Sequence, residues 1–287
     1  MKVWLSAARP RTLSAAIAPV AVGTAAAEEF IAWRLIAALV VSLALQIAVN
    51  LANDLFDANR GVDTDARVGP VRATAAGLVT PTQMKIAIGL SFVVAGVAGT
   101  ALAAAAGWEL LAVGAVSLVA ALAYSGGPKP YASHGLGELF VFIFFGLVAT
   151  VGSTYVQDET VSRLAYVAAV PVGLLATAIL VVNNLRDIET DARANKRTLA
   201  VRIGESRTRS LFQALVILAF IDTLAVVGIT SSALPALALI AAPLAVRPVS
   251  MVMNSNEPSE LIEALGATAR LQLVYSLLLA VGLWAWN

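Results

Sequence analysis

Long apolar runs separated by short polar stretches dominate the chain, and each run approaches the roughly 20 residues that cross a bilayer core. They predict nine membrane-spanning helices, at approximately Thr12–Ala27, Leu35–Asn53, Ile86–Ala106, Leu110–Ser125, Leu136–Tyr155, Leu164–Leu185, Leu211–Thr230, Ala233–Val252 and Thr268–Trp286. The first and fourth are the shortest. All five tryptophans, Trp4, Trp33, Trp108, Trp284 and Trp286, fall at or just beyond span ends, where amphipathic rings anchor at the membrane interface. The expected architecture is all-α and integral to the membrane, a single transmembrane domain over residues 1–287.

The second run changes character at its end, where Asn50–Asp65 reads NLANDLFDANRGVDTD. If the helix continues past Val49, Asn50, Asn53, Asp54 and Asp57 stand at i, i+3, i+4 and i+7, so two amides and two carboxylates share one face. Asp63 and Asp65 follow just beyond Gly61, where the helix is expected to fray. Carboxylates at the end of a membrane helix are costly and mark function. They repel one another unless a cation lies between them. Mg²⁺ suits such a site, since it takes one or two carboxylates and completes its shell with water and substrate phosphate oxygens.

Composition supports the membrane reading. The 287 residues are 59% hydrophobic and only 13% charged, with a mean hydropathy of +0.84; soluble domains carry about 25% charged residues. The absence of cysteine excludes disulfides and thiolate chemistry, and the single histidine, His134, excludes multi-histidine metal sites. A net charge of +1 says little by itself, and no nucleic-acid partner is expected. The placement of the charge says more. With nine spans, every lysine and arginine except Arg34 and Arg163 falls on one side. The positive-inside rule then puts the N-terminus and both acidic loops in the cytoplasm and the C-terminus outside the cell membrane. The basic start, the apolar run and Ala25-Ala26-Ala27 also have the form of a signal peptide. Arg9-Pro10-Arg11, set against the apolar run, favours a retained span.

A shift of 130 residues brings the chain onto itself. Asn53, Leu55 and Asp57 meet Asn183, Leu185 and Asp187, and Asp54 meets Asn184. Arg67 and Arg72 meet Arg197 and Arg202, and Ser125 and Pro128 meet Ser255 and Pro258. The offset spans four helices, so both copies emerge on the same side. The pattern predicts two four-helix pseudo-repeats plus one helix, with the functional site between the repeats. In the second copy Asn184, Asp187 and Asp191 stand at i, i+3 and i+7, again one helical face, and Lys196 and Arg197 follow.

Two acidic clusters call for cations, and the basic residues behind them call for an anion. A polyphosphate with bridging Mg²⁺ satisfies both, and arginine grips phosphate oxygens with paired hydrogen bonds. An apolar helix bundle alongside suits a long lipid tail on that diphosphate. A transporter with its site at the repeat interface is an alternative, but the acids cluster on one membrane side and not at the midplane.

These residues resemble the UbiA superfamily of intramembrane aromatic prenyltransferases. Asn53-Asp54-Leu55-Phe56-Asp57 resembles its first motif, NDxxDxxxD, and Asp187-Ile188-Glu189-Thr190-Asp191 its second, DxxxD. Gly61 replaces the last acid of the first motif, and Asp63 stands two residues later. ARPRTLSAAIAPV, NLANDLFD, GPVR, YSGGPKPY, GLGE and NNLRDIETDARANKRTLAVRIG are similar to the branch that prenylates 1,4-dihydroxy-2-naphthoate. The resemblance runs from Ala8 to Gly204 and implies a ring of helices around a central cavity. It implies a polyprenyl diphosphate donor and two Mg²⁺ ions, one held by Asn53, Asp54 and Asp57, the other by Asp187 and Asp191, with Asp63 and Asn184 as further ligands. Arg67, Arg72, Lys129, Lys196, Arg197 and Arg202 would meet the diphosphate. Tyr124 would face the developing allylic cation. The implied reaction ionises the donor, and the naphthalene ring attacks with loss of carbon dioxide, giving demethylmenaquinone. Other acceptors (4-hydroxybenzoate, homogentisate, haem, chlorophyllide) and a phytyl donor belong to the same superfamily.

Plainer roles compete at several positions. Arg72 and Lys129 also read as orientation signals and Tyr124 as an interfacial residue. Arg9 and Arg11, at the cytoplasmic mouth of the first span, read as anchors for an acceptor carboxylate or as orientation signals. His134 reads as a loop residue, Gly126-Gly127 as a turn, and Glu138 as a cap or site-lining residue at the start of its span. Asp222, near the middle of the seventh span, is expected to bond to a neighbouring helix.

Overall fold

The computed structural model describes residues 2–60, 72–255 and 257–287; Asp63, Asp65 and Arg67 lie outside the described residues. Among these, seven helices are long and apolar enough to cross a membrane: α2 (Ala32–Asn59), α3 (Pro81–Ala106), α5 (Gly137–Asp158), α6 (Arg163–Arg186), α7 (Glu205–Thr230), α8 (Leu234–Asn254) and α9 (Pro258–Trp284). The other two apolar helices, α1 (Ser14–Ala25) and α4 (Glu109–Ser125), have 12 and 17 residues. They are the two shortest spans expected from the sequence. Local signals set several boundaries. Thr80 forms a capping box with Gln83 and is followed by Pro81 at the first helical position. Ser162 caps α6 through the Ala165 N–H.

Helix α6 is the staff of the bundle. Of its most apolar window 72% is buried, against 22% for α3, so α6 is enclosed by protein while α3 faces lipid. It packs against α5, α7 and α9, and α9 packs in turn on α1 and α8. Val172, Leu175, Leu271, Tyr275 and Leu279 lie at the centre of the largest core. The exposed faces carry Leu90, Val93 and Val97 on α3, Val116 and Val119 on α4, and Ile221 and Leu224 on α7. Such a surface suits lipid and would aggregate in water. All five tryptophans are exposed, as membrane-interface anchors would be.

Two features position the site. Residues Phe142–Val148 of α5 form a π-helix, and its Phe144, Phe145 and Val148 line the central cavity. Glycine makes the wide turn fit: a Cβ on Gly146 would stand 2.7 Å from Gly173 Cα on α6. At the end of the bundle remote from the acidic motifs, Arg34 ties three helices together. Its guanidinium donates to the carbonyls of Val156 (2.8 Å) and Ala105 (3.1 Å) and to Glu159 (3.0 Å). An arginine that the sequence offers only as a charge on the minority side is thus a buried clamp.

The expected hydrogen bond from Asp222 to another helix is absent among the described residues. Asp222 is half-buried beside Tyr275, and the cross-helix bond at that level belongs to Thr223, whose hydroxyl meets the Tyr275 hydroxyl at 2.7 Å. The shorter Thr223 side chain lies on the buried face, one residue around the helix.

Candidate active site

Helix α2 stays regular through Asn59, so Asn50, Asn53, Asp54 and Asp57 do share one buried face. They do different work. Asn53 Oδ1 accepts a 2.8 Å hydrogen bond from Ser125 Oγ, which ties α2 to the end of α4. Each oxygen of Asp54 accepts one backbone N–H, from Ala73 and Thr74, both at 2.9 Å. Asp54 thereby anchors the segment beyond Arg72. Asp57 is the acid of this motif that meets the second one.

The second motif is less regular than its spacing suggests. Helix α6 ends at Arg186, the backbone turns at Asp187, and a short helix, Ile188–Arg193, begins. The Asp191 N–H still donates to the Asp187 carbonyl at 2.8 Å, so Asn184, Asp187 and Asp191 remain together and buried. Asp187 pairs bidentately with Arg186, at 2.8 and 2.6 Å. Arg186 also holds Asn183 Oδ1 at 3.0 Å. Asn184 donates to buried Glu138 at 2.9 Å. Arg186 reads in the sequence only as an orientation charge, because its partner is its own neighbour in the chain.

Lys196 joins the motifs. Its ammonium lies 3.4 Å from Asp57 Oδ2 and 3.8 Å from Asp191 Oδ1. Arg72, also buried, approaches Asp57 Oδ2 at 3.5 Å. A positive charge therefore already sits between carboxylates contributed by two distant stretches of chain. All the side-chain donors around it are hard oxygens and amides, the set a hard divalent cation takes. Among the described residues no three acidic or histidine side chains converge tightly enough to hold a metal unaided. The donor set thus fits a cation that completes its shell with water and phosphate oxygens.

Two cavities lie near these residues, and Asp57 and Lys196 line the second of them. The first, of about 430 Å³, is mostly apolar and runs among α1 to α6; Arg9, Asn53, Tyr124 and Asn183 stand at its polar end. The second, of about 440 Å³, is a polar vestibule lined by Asp57, Arg60, His134, Lys196, Arg197 and Arg202. Asn53 and Asp57, one helical turn apart, link the two. Four aromatic rings stack along the apolar cavity: Tyr124 edge-on to Tyr131 (centroids 5.4 Å apart), Tyr131 on Phe140 (4.1 Å) and Phe140 on Phe144 (6.1 Å). Burial pushes the Tyr131 phenol above its ordinary range. Only Tyr124 of this ladder stands out in the sequence. The spacing of Phe140 and Phe144, one helical turn apart, is the signal for the rest.

Other expected residues are distributed unevenly. Lys129 is exposed on its loop and lines neither cavity. Arg9 lines the apolar cavity, whereas Arg11 is exposed and its aliphatic stem lies against Gly266 of α9. The structure therefore separates two arginines that look equivalent in Arg9-Pro10-Arg11. His134 Nδ1 makes a 2.9 Å local contact with the Pro130 carbonyl.

A membrane bundle with an apolar cavity beside paired acid–amide motifs and a basic vestibule suits a lipid with an anionic head. Residues 16–277 match the model of the UbiA prenyltransferase family. The chain is 45% identical to the 1,4-dihydroxy-2-naphthoate octaprenyltransferase of Mycobacterium tuberculosis, over 96% of this chain and 95% of that one. It is 37% identical to the enzyme of the same description from Escherichia coli, over 98% and 95%. Among solved structures, an apo UbiA homolog from Aeropyrum pernix shares the fold with a TM-score of 0.71 at 15% identity, over 92% and 94% of the two chains. A UbiA homolog from Archaeoglobus fulgidus, bound to GPP and Mg²⁺, does so with a TM-score of 0.61 at 16% identity, over 97% and 100%. The chain belongs to the UbiA prenyltransferase family and is a multi-pass membrane enzyme.

Proposed function

We propose that this enzyme transfers a polyprenyl group from a polyprenyl diphosphate to 1,4-dihydroxy-2-naphthoate. In the reaction the allylic C–O bond breaks and a C–C bond to the naphthalene ring forms. Pyrophosphate leaves the donor and carbon dioxide leaves the acceptor's carboxylate, with no net release of a proton, giving the prenylated naphthoquinol, the reduced form of demethylmenaquinone. The carrying observation is the convergence of Asp57, Asp191 and Lys196 beside a polar vestibule, one turn of α2 from Asn53 in the wall of an apolar cavity. The acceptor follows the relatives, which are described as naphthoate octaprenyltransferases and match nearly the whole chain.

Divalent cations, one at each acidic motif, supply Lewis-acid charge to the diphosphate when bound, with Asn53 and Asp57 as ligands on one side and Asn184, Asp187 and Asp191 on the other. Lys196 and Arg72 stand ready beside the same carboxylates to neutralise the departing pyrophosphate, and Arg197 and Arg202 extend the positive field into the vestibule. The ring faces of Tyr124 and Tyr131 stabilise the allylic cation. The apolar walls hold the isoprenoid tail and keep water from capturing that cation. Arg9 receives the acceptor's carboxylate with paired hydrogen bonds.

The architecture we infer is one domain with nine crossings, α1 and α4 being the short ones, arranged as two four-helix repeats plus α9. It places the N-terminus and both acidic motifs on the cytoplasmic side of the cell membrane and Asn287 outside. Purified enzyme in detergent, given Mg²⁺ and a labelled polyprenyl diphosphate, should prenylate the naphthoate from a panel that also holds 4-hydroxybenzoate and homogentisate. Preference for another acceptor, or absence of turnover with the naphthoate, overturns the assignment.

A further inference from the structure

Arg9 adopts φ 52° and ψ 71°, a left-handed conformation unfavourable for an arginine. Such residues persist where their surroundings over-determine them, and they cluster at functional sites. Here the surroundings are specific. The carbonyl preceding Arg9, that of Ala8, accepts a 2.9 Å hydrogen bond from Asn50 Nδ2. The carbonyl of Arg9 itself accepts the Thr12 N–H at 2.9 Å and the Thr12 hydroxyl at 3.0 Å. Thr12 Oγ1 accepts in turn from Asn50 Nδ2 (3.1 Å) and Gln46 Nε2 (3.2 Å). Gln46 and Asn50 lie one turn apart on α2, both buried. The two carbonyls flanking the Arg9 Cα are thus locked to α2, while the Arg9 side chain lines the apolar cavity.

We propose that Asn50, with Gln46 and through Thr12, is a positioning residue for Arg9 and so sets the site's specificity for an acceptor bearing a carboxylate. The proposal rests on the reading that Arg9 receives that carboxylate. A planar guanidinium grips a carboxylate through two parallel bonds only when it is held in orientation. Releasing the backbone leaves the charge of Arg9 in place and removes the aim. Asn50, Gln46 and Thr12 line the same cavity as Arg9, but their side-chain hydrogen bonds go to the Ala8 carbonyl and to one another, so the consequence reaches the acceptor through Arg9.

The test is a double-mutant cycle on KM, measured separately for the naphthoate and for the polyprenyl diphosphate. Arg9→Ala should raise the naphthoate KM about tenfold, and Asn50→Ala about three- to tenfold, with the diphosphate KM within about twofold of the parent. Combined with Arg9→Ala, Asn50→Ala should add nothing, because its route to the acceptor is gone. Thr12→Val should behave as Asn50→Ala, and Thr12→Ser, which keeps the hydroxyl, should restore the naphthoate KM. If Asn50→Ala fails to accumulate in membranes, the Thr12→Val cycle decides. Multiplicative effects in the double variant, equal rises in both KM values, or an unchanged naphthoate KM in Thr12→Val each overturn the proposal. Failure of the parent enzyme to turn over the naphthoate removes the acceptor assignment instead, and an unchanged KM in Arg9→Ala alone removes its anchoring role.

Discussion

Replacing Lys196 with methionine keeps most of the unbranched side chain and deletes the charge that joins the two acidic motifs. The ammonium lies 3.4 Å from Asp57 and 3.8 Å from Asp191, and the three side chains are at most 16% exposed. With an effective dielectric constant of about 20 these contacts amount to about 5 and about 4 kcal/mol of Coulomb attraction, most of which offsets the cost of desolvating the groups. Removing one partner of a buried ion pair costs about 3–5 kcal/mol. Arg72, 3.5 Å from Asp57, remains, so the lower end applies here. Metal-free Lys196→Met should therefore unfold about 5–10 °C below the parent in a thermal-shift assay in detergent. Mg²⁺ should narrow the difference by about half, because in the parent the cation competes with the ammonium for the same carboxylates. The midpoint of the variant should thus rise more with Mg²⁺ than that of the parent, and its Mg²⁺ affinity should be higher by about tenfold, or 1.4 kcal/mol. Equal Mg²⁺-induced shifts in the two proteins would refute the idea that Lys196 occupies the cation position.

The remaining predictions concern the acids, the topology and the glycine contact. Asp57→Asn and Asp187→Asn should each abolish turnover while the protein inserts normally, since each removes charge from a different motif; near-normal turnover in either variant removes the two-motif site. A tag at the N-terminus should be inaccessible from outside the cell and one at Asn287 accessible, and finding both on one side breaks the count of nine crossings. Gly146→Ala should cost about 1–3 kcal/mol, because its Cβ would meet the Gly173 backbone at 2.7 Å, and should lower the thermal midpoint. Gly228→Ala, with nothing within 4 Å of the new Cβ, serves as the control.

Much of the site was legible because the bilayer makes polar residues conspicuous. An apolar run that turns into Asn-x-x-Asn-Asp-x-x-Asp marks a candidate face, and α2 stays helical for long enough to present it. Less was legible where geometry depends on distant partners. The kink at Asp187 and the division of labour between Asp54 and Asp57 follow from contacts with other segments. The same holds for Arg9 and Arg11. Adjacent to one proline, they have the same chemistry in the sequence, and only the clamp from α2 turns one of them into the cavity. The π-helix in α5 has no local signature beyond a glycine, and the contact that requires that glycine, with Gly173, lies on another helix.

The most direct test of the account follows both labels through a single turnover. The purified enzyme receives Mg²⁺, a polyprenyl diphosphate and 1,4-dihydroxy-2-naphthoate labelled at its carboxyl carbon. The account predicts that labelled carbon dioxide appears in equal amount to pyrophosphate and prenylated naphthoquinol, and that 4-hydroxybenzoate supplied in parallel is left unprenylated. Prenylated 4-hydroxybenzoate without a naphthoate product, or a prenylated naphthoate that retains its label, would contradict it.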